Sequence, residues 1–150
     1  TKKILQNLKY DKKTIKNVAS LVELHLRPHT FKMGWTDSAV RRYIVDAGEV
    51  LEDLNNLVRA DVTTKNKQKA QEIFEKLDEM ETRIKEVLEK EEMSKLRPPI
   101  SGDEIMSLFD LEPGPKVGVI MKALYEQRIN EGEVSKEEAI KLAKETFDNL

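Results

Sequence analysis

The chain has no cysteine among its 150 residues, and only 5% of them are aromatic. Without cysteine, disulfide bonds and thiolate metal sites are excluded, which fits a reducing cytoplasm. Because aromatic residues are scarce and 36% of the residues are charged, the composition favours helices with wide solvated faces over a β-sandwich. No apolar run has membrane-spanning length and no signal peptide opens the chain. We therefore expect a cytoplasmic location and no membrane segment.

The net charge of -2 conceals an uneven distribution along the chain. Residues 1–69 contain 14 Lys and Arg against 8 Asp and Glu, whereas residues 70–150 contain 12 against 20. Such asymmetry can indicate that the first part of the chain binds a polyanion, while the rest of the protein is acidic. It also arises when solvated helix faces differ in charge by chance, and the charge alone leaves both explanations open.

Apolar residues recur at helical three- and four-residue steps along nearly the whole chain. The pattern predicts a helix after Asp11 that ends near Arg27, because Pro28 disfavours helical geometry in the residue before it. A short helix capped by Thr36 or Asp37 follows, and another apolar stripe covers residues 50–58. Each of these helices is short enough to belong to a globular bundle.

A long helix is predicted over about residues 67–93. Its apolar stripe steps by three and four residues in strict alternation: Ala70, Ile73, Leu77, Met80, Ile84 and Val87. Such a helix spans roughly 40 Å. The stripe can support dimerisation through residues 70–87, but intramolecular packing is favoured because three heptads make a marginal isolated coiled coil.

The last third of the chain has clear helix signals. Arg97-Pro98-Pro99 breaks the chain, and serine–glutamate capping boxes follow at Ser101 and Ser135. Pro113-Gly114-Pro115 makes a tight turn with Pro115 suited to a first helical position. The expected fold is all-α, a bundle of about six to seven helices including the long one.

Catalytic and metal-binding constellations are not evident. The candidates for a metal site have no compact ligand spacing: His25, His29, Asp37, Asp46 and Asp61. Walker, dinucleotide-binding and nucleophile-elbow motifs are also absent from the sequence. We therefore predict no catalytic residue and no metal ligand in this chain.

Phosphate-binding features are more prominent. Basic residues cluster within a short stretch of sequence: Arg27, His29, Lys32, Arg41, Arg42, Arg59, Lys65 and Lys67. With Arg41 and Arg42 on the polar side of their helix, such residues can neutralise backbone phosphates, and an exposed Trp or Tyr can stack on unpaired bases. The structural alternative pairs Asp37 with Arg41 and Arg42 with Asp46, and places Trp35 in the core.

The turn LEPGPKVG (residues 111–118) is a second candidate phosphate site. Gly114 would let a phosphate approach, the following helix presents free amides, and Lys116 adds charge. The alternative is a tight helical hairpin without a ligand.

Three ordered motifs, WTDSAVRRYIVDAG, LVRADVTTKN and ISGDEIMSLFDLEPGPKVG, together resemble the C-terminal half of bacterial CCA-adding enzymes. These belong to the tRNA nucleotidyltransferase/poly(A) polymerase family, in the branch that carries an HD domain. The resemblance implies CMP and AMP addition to tRNA by the parent enzyme, with CTP, ATP and Mg²⁺. The glycine-serine signature and paired aspartates of the nucleotidyltransferase head do not occur here, so a fragment without cofactors of its own is expected.

The resemblance implies that residues 1–62 end an HD-like region and that residues 63–150 form a C-terminal tRNA-binding domain, with a subdomain break near residues 97–100. The expected partners are the acceptor and T arm of tRNA and the protein's own head, and the oligomeric state stays open. The predicted RNA-binding residues are Arg27, His29, Arg41, Arg42, Arg59, Lys65, Asn66, Lys67, Gly114 and Lys116.

The predicted function is non-catalytic tRNA binding by part of a CCA-adding enzyme. The isolated chain should bind tRNA weakly with strong salt dependence, and replacing Arg41 and Arg42 by alanine should lower affinity. The alternatives are a fragment of a poly(A) polymerase of the same family, a remnant of an HD-type phosphohydrolase with His25 and Asp61 near a metal, and a helical dimerisation module.

Overall fold

A computed structural model describes residues 1–91 and 97–150, without the side chains of residues 32, 33 and 91. Within these residues there is no strand, and the all-α prediction is confirmed. The long helix is confirmed from Lys67 to Glu91, while the last predicted positions, 92 and 93, lie outside the described residues. Seven of the described α-helices have eight or more residues, and a six-residue helix at the amino end was not predicted.

The α-helices and two 3-10 helices follow one another as α1 (Lys2–Asn7), α2 (Lys12–Leu24), a 3-10 helix (Arg27–Met33), α3 (Asp37–Ala47), a 3-10 helix (Gly48–Val50), α4 (Leu51–Ala60), α5 (Lys67–Glu91), α6 (Gly102–Phe109), α7 (Pro115–Glu131) and α8 (Lys136–Asp148).

Local capping hydrogen bonds set most of the helix starts. The Asp11 carboxylate accepts from the amides of Lys13 and Thr14 at 2.9 and 3.0 Å. Of the two predicted caps of α3, the structure selects Thr36, whose hydroxyl accepts from the Ala39 amide. Both predicted capping boxes are present, at the starts of α6 and α8. These bonds satisfy amides that have no partner within the helix.

Contacts divide the chain into two compact units, Thr1–Glu86 and Val87–Leu150. The core of the first unit is formed by residues of α3, α4 and α5, with Tyr43, Leu54 and Met80 fully buried. Leu77 and Ile84 of the α5 stripe are buried as well, so this part of the stripe is already covered within the chain. Little of the apolar stripe of α5 is therefore available to pack against a partner chain.

The second unit has its own core. Ile105, Ile120 and Leu124 are buried together with the small residues Ala139 and Ala143 of α8. The rings of Phe109 and Phe147 stack with centroids 4.7 Å apart beside this cluster. The functional division at residue 62 and the subdomain break near residues 97–100 stay predictions.

Candidate RNA-binding surfaces

Two of the predicted arginines are held in ion pairs within the first unit. Arg27 pairs with Asp46 of α3. Arg59 of α4 binds two carboxylates of α5, Asp78 at 2.5 Å and Glu81 at 2.9 Å. The hydrogen bond with Glu81, followed by that with Asp78, raises the pKa of the Arg59 guanidinium above its usual range. These arginines keep their charge, but a phosphate would have to share them with a carboxylate.

Arg41 does not lie on the polar side of α3, so the expectation for this residue is wrong. It is only 7% exposed, and Ile44, one turn further along the same helix, is buried as well. A helix turns by about 100° per residue, so Arg41 is about 60° from Ile44 around the axis, and the buried arc extends that far. Arg42 is half-buried, and both arginines have interaction partners within the chain.

The two carboxylates that the sequence predicts as partners of these arginines form ion pairs with arginines outside α3. Asp37 forms an ion pair with Arg83 of α5, and Arg83 also binds Glu86 at 3.0 Å. Asp46 pairs with Arg27. Both pairs join segments that are distant in sequence, so each connects two elements of the first unit.

Trp35 is part of an aromatic cluster. Its ring centroid lies 5.5 Å from that of Phe31 and 5.0 Å from that of Tyr43, and its indole N–H donates to the Thr30 hydroxyl at 3.3 Å. The Trp35 side chain is half-buried, whereas Tyr43 is fully buried. Burial raises the pKa of the Tyr43 phenol, which donates to Asn55 at 3.1 Å. The cluster supports the packing alternative for Trp35 and leaves Tyr43 no open face for a base.

The remaining predicted residues of the first unit are exposed. Lys65 lies just before α5 and Lys67 begins it, and neither makes an ion pair within the part of the chain that the structure describes. Asn66 caps α5, since its side-chain oxygen accepts from the Lys69 amide at 3.1 Å. His29 lines a cavity of about 70 Å³ with Lys76 and apolar neighbours. Of these exposed residues, Lys65 and Lys67 have the side-chain charges that are most available to a phosphate.

The second candidate site lies at the start of α7 in the second unit. Gly114 is extended, with φ of 179°, and no side chain caps the helix. A Cβ at this position would meet only the Glu112 carbonyl oxygen, at 3.8 Å. Lys116 is exposed, and its Nζ lies 5.9 Å from the centroid of the Phe147 ring. The fold therefore tolerates a side chain at Gly114, and the helix start is open to an anion.

Sequence reasoning missed the amino-terminal lysines. Residues 1–16 contain six lysines and a single acidic residue, Asp11. Lys2, Lys12 and Lys16 line one cleft between α1 and α2. The local charge count could have identified this segment, because its excess of basic over acidic residues is larger than that of the first two motifs.

No group of three or more His, Asp or Glu side chains within residues 1–91 and 97–150 could hold a metal ion. His25 Nδ1 lies 2.7 Å from the Val22 carbonyl oxygen, and Asp61 ends α4. Neither residue belongs to a group of three metal-ligating side chains in the described part of the chain. In the same described ranges, every helix is too short or too polar to cross a membrane.

Comparisons with known proteins agree with the three motifs. A sequence model of the family tRNA nucleotidyltransferase domain 2 matches residues 1–143. A CC-adding tRNA nucleotidyltransferase from Thermus thermophilus is 35% identical over 134 residues, which cover 88% of this chain and 28% of that protein. An A-adding tRNA nucleotidyltransferase from Deinococcus radiodurans is 34% identical over 130 residues, covering 85% and 29%. The chain thus spans less than a third of these relatives, and no solved structure matches it significantly.

Proposed function

The chain belongs to the tRNA nucleotidyltransferase domain 2 family, and from this we propose that it is a non-catalytic, tRNA-binding portion of a CCA-adding enzyme. Its task is to hold the acceptor and T arm so that the tRNA 3′ end reaches a nucleotidyltransferase head in the longer protein. The observation that carries the proposal is the family match over nearly the whole chain, together with two relatives named for nucleotide addition to tRNA.

Nucleotide transfer needs groups that the described residues do not offer. Addition of CMP and AMP from CTP and ATP uses carboxylates that hold Mg²⁺ for in-line attack by the terminal hydroxyl. The described residues contain no such cluster of donors. The contribution to the reaction that we assign to this chain is binding and orientation, which would lower the barrier by fixing the reacting end.

Exposed cations supply the proposed binding energy. Lys65, Lys67 and Lys116 offer exposed charges to phosphates, and Gly114 leaves the start of α7 open. Arg27 and Arg59 contribute only if RNA competes with the carboxylates that hold them. Because the whole chain carries a net charge of -2, binding depends on these local groups rather than on overall attraction.

The two relatives suggest that this portion does not choose the nucleotide. One is named for adding CC and the other for adding A, yet their identities to this chain are nearly equal, 35% and 34%. We assign the docking step, common to both reactions, to this chain and nucleotide choice to the head. A poly(A) polymerase of the same family is the alternative parent.

The direct test is a titration of labelled tRNA with the 150-residue chain, followed by fluorescence anisotropy at several KCl concentrations. We expect weak binding with a linear fall of log K against log salt, because phosphate contacts release counterions. A single-stranded RNA of equal length is the control, and it should bind less tightly than an acceptor-stem and T-arm hairpin. The chain should not extend tRNA when supplied with CTP, ATP and Mg²⁺. Absence of tRNA binding at about 50 mM salt, where phosphate contacts are strongest, or nucleotide incorporation by the chain alone, would overturn the proposal.

A further inference from the structure

A lysine-lined cleft lies between α1 and α2, away from the motifs that indicated the family. Lys2 and Gln6 line it from α1, and Lys12, Lys16 and Ser20 line it from α2. Its volume is about 240 Å³. At roughly 30 Å³ per water molecule, this is room for about eight waters, enough to admit a phosphodiester group.

The turn between the two helices fixes the walls of the cleft. Lys9 adopts a left-handed conformation with φ of 58°. The amides of Lys9 and Tyr10 donate to the carbonyls of Gln6 and Leu5, at 3.0 and 3.1 Å, and so close the end of α1. The Asp11 cap then starts α2 directly. The lysines of both helices therefore face a space set by a defined turn.

The charge in the cleft is poorly compensated. Lys2, Lys12 and Lys16 form no ion pair with any described residue, and among the described lining residues Glu23 is the one with an acidic side chain. The Asp11 carboxylate is occupied by two amides and by the Thr14 hydroxyl. These lysines thus differ from Arg27 and Arg59, whose guanidinium groups are shared with carboxylates.

We propose that the α1–α2 cleft binds a backbone phosphate of RNA, with Lys2, Lys12 and Lys16 as the cations and Gln6 and Ser20 as hydrogen-bond donors. This inference rests on the proposed function and adds a contact surface that the three motifs do not contain. Contact with the backbone is independent of sequence, so the cleft positions the RNA and does not read its bases.

The test compares two triple variants with the same change in charge. The cleft variant carries Lys2→Gln, Lys12→Gln and Lys16→Gln. The control replaces three exposed lysines of the second unit that form no ion pair with another described residue: Lys122→Gln, Lys141→Gln and Lys144→Gln. Both sets are exposed, so we expect the far-UV circular dichroism of each variant to match that of the parent chain.

The cleft variant should bind tRNA about tenfold more weakly at low salt, and its plot of log K against log salt should be less steep by about 1, because loss of the one phosphate contact removes close to one unit. The control should stay within about twofold of the parent, since its charges are not at the contact. A second measurement is protection from lysine acylation, in which tRNA should shield the cleft lysines and not the control lysines. If the two variants bind tRNA with equal affinity and tRNA does not protect the cleft lysines, the α1–α2 cleft is not a phosphate site, and the proposed function is unaffected. Failure of the parent chain to bind tRNA overturns the proposed function and the cleft together.

Discussion

Neutralising Glu81 tests whether Arg59 is a structural residue, an RNA ligand or both. The Arg59–Glu81 bond is 2.9 Å long and lies between side chains that are 29% and 27% exposed. A charge-assisted bond in such a partly exposed site contributes about 1 kcal/mol after allowance for solvent screening. Asp78 is 66% exposed, so its bond with Arg59 contributes a few tenths of a kcal/mol, roughly the value of a surface pair.

We expect Glu81→Gln to lower the free energy of unfolding of the first unit by about 1 kcal/mol. With a urea m-value of about 1 kcal/mol/M for a unit of this size, the midpoint should fall by about 1 M. Trp35 is the only tryptophan and lies in the first unit, so its fluorescence reports this transition. The control is Glu79→Gln, at an exposed position of α5 that has no ion pair with another described residue, and it should leave the midpoint almost unchanged.

The same two variants decide the role of Arg59 in binding. If Arg59 contacts a phosphate, removing its carboxylate partner should strengthen tRNA binding about fivefold beyond the effect of Glu79→Gln, as about 1 kcal/mol implies. Equal midpoints for the two variants would refute the stabilising role of the ion pair. Equal tRNA affinities would remove Arg59 from the binding surface.

Two further outcomes follow from the second unit. A hydrogen bond from the Lys136 side chain is the main cause that lowers the pKa of Glu104 below its usual 4.5, and a hydrogen bond from the Ser135 hydroxyl does the same for Glu138. The stabilisation of the fold by these hydrogen bonds is therefore present above pH 4.5 and is lost as the pH falls through the lowered pKa values. Urea unfolding of Glu104→Gln, followed by circular dichroism, should therefore vary less between about pH 6 and pH 3 than unfolding of the parent, and an unchanged pH dependence would contradict this. If a phosphate approaches Gly114, Gly114→Ala should weaken tRNA binding and leave the melting temperature unchanged. Gly118 lies in the interior of α7 with open space around it, so the control Gly118→Ala should raise the free energy of unfolding by up to about 1 kcal/mol without affecting binding.

The features that the sequence predicted correctly depend on neighbouring residues. The Asp11 cap, the two capping boxes and the helical period of α5 are all set within one or two turns of chain. A cap needs only an acceptor a few residues before the amides it satisfies, so residue type and spacing are sufficient information. The same holds for the all-α class, which follows from the repeated helical period.

The features that the sequence did not predict depend on distant residues. Arg27 pairs with Asp46 across 19 positions, and Arg83 with Asp37 across 46. Helical periodicity describes one helix at a time, whereas the neighbouring elements determine how wide its buried face is. The periodicity of α3 therefore does not predict that its buried face includes Arg41. The amino-terminal cleft needs the turn at Lys9 to bring two short helices together, and a left-handed lysine has no clear sequence signal.

The helices that form the cleft are also those with the least support from the interior. Neither α1 nor α2 contains a buried residue, and Ile4, Leu8 and Leu26 are each at least 60% exposed. Segments with few buried apolar contacts open and close locally at small free-energy cost, even while the rest of the unit stays folded. A ligand that binds only the closed form would shift this local equilibrium by mass action. RNA in the cleft would then hold the amino-terminal hairpin in its closed form for more of the time, and part of the binding free energy would be used to shift that equilibrium.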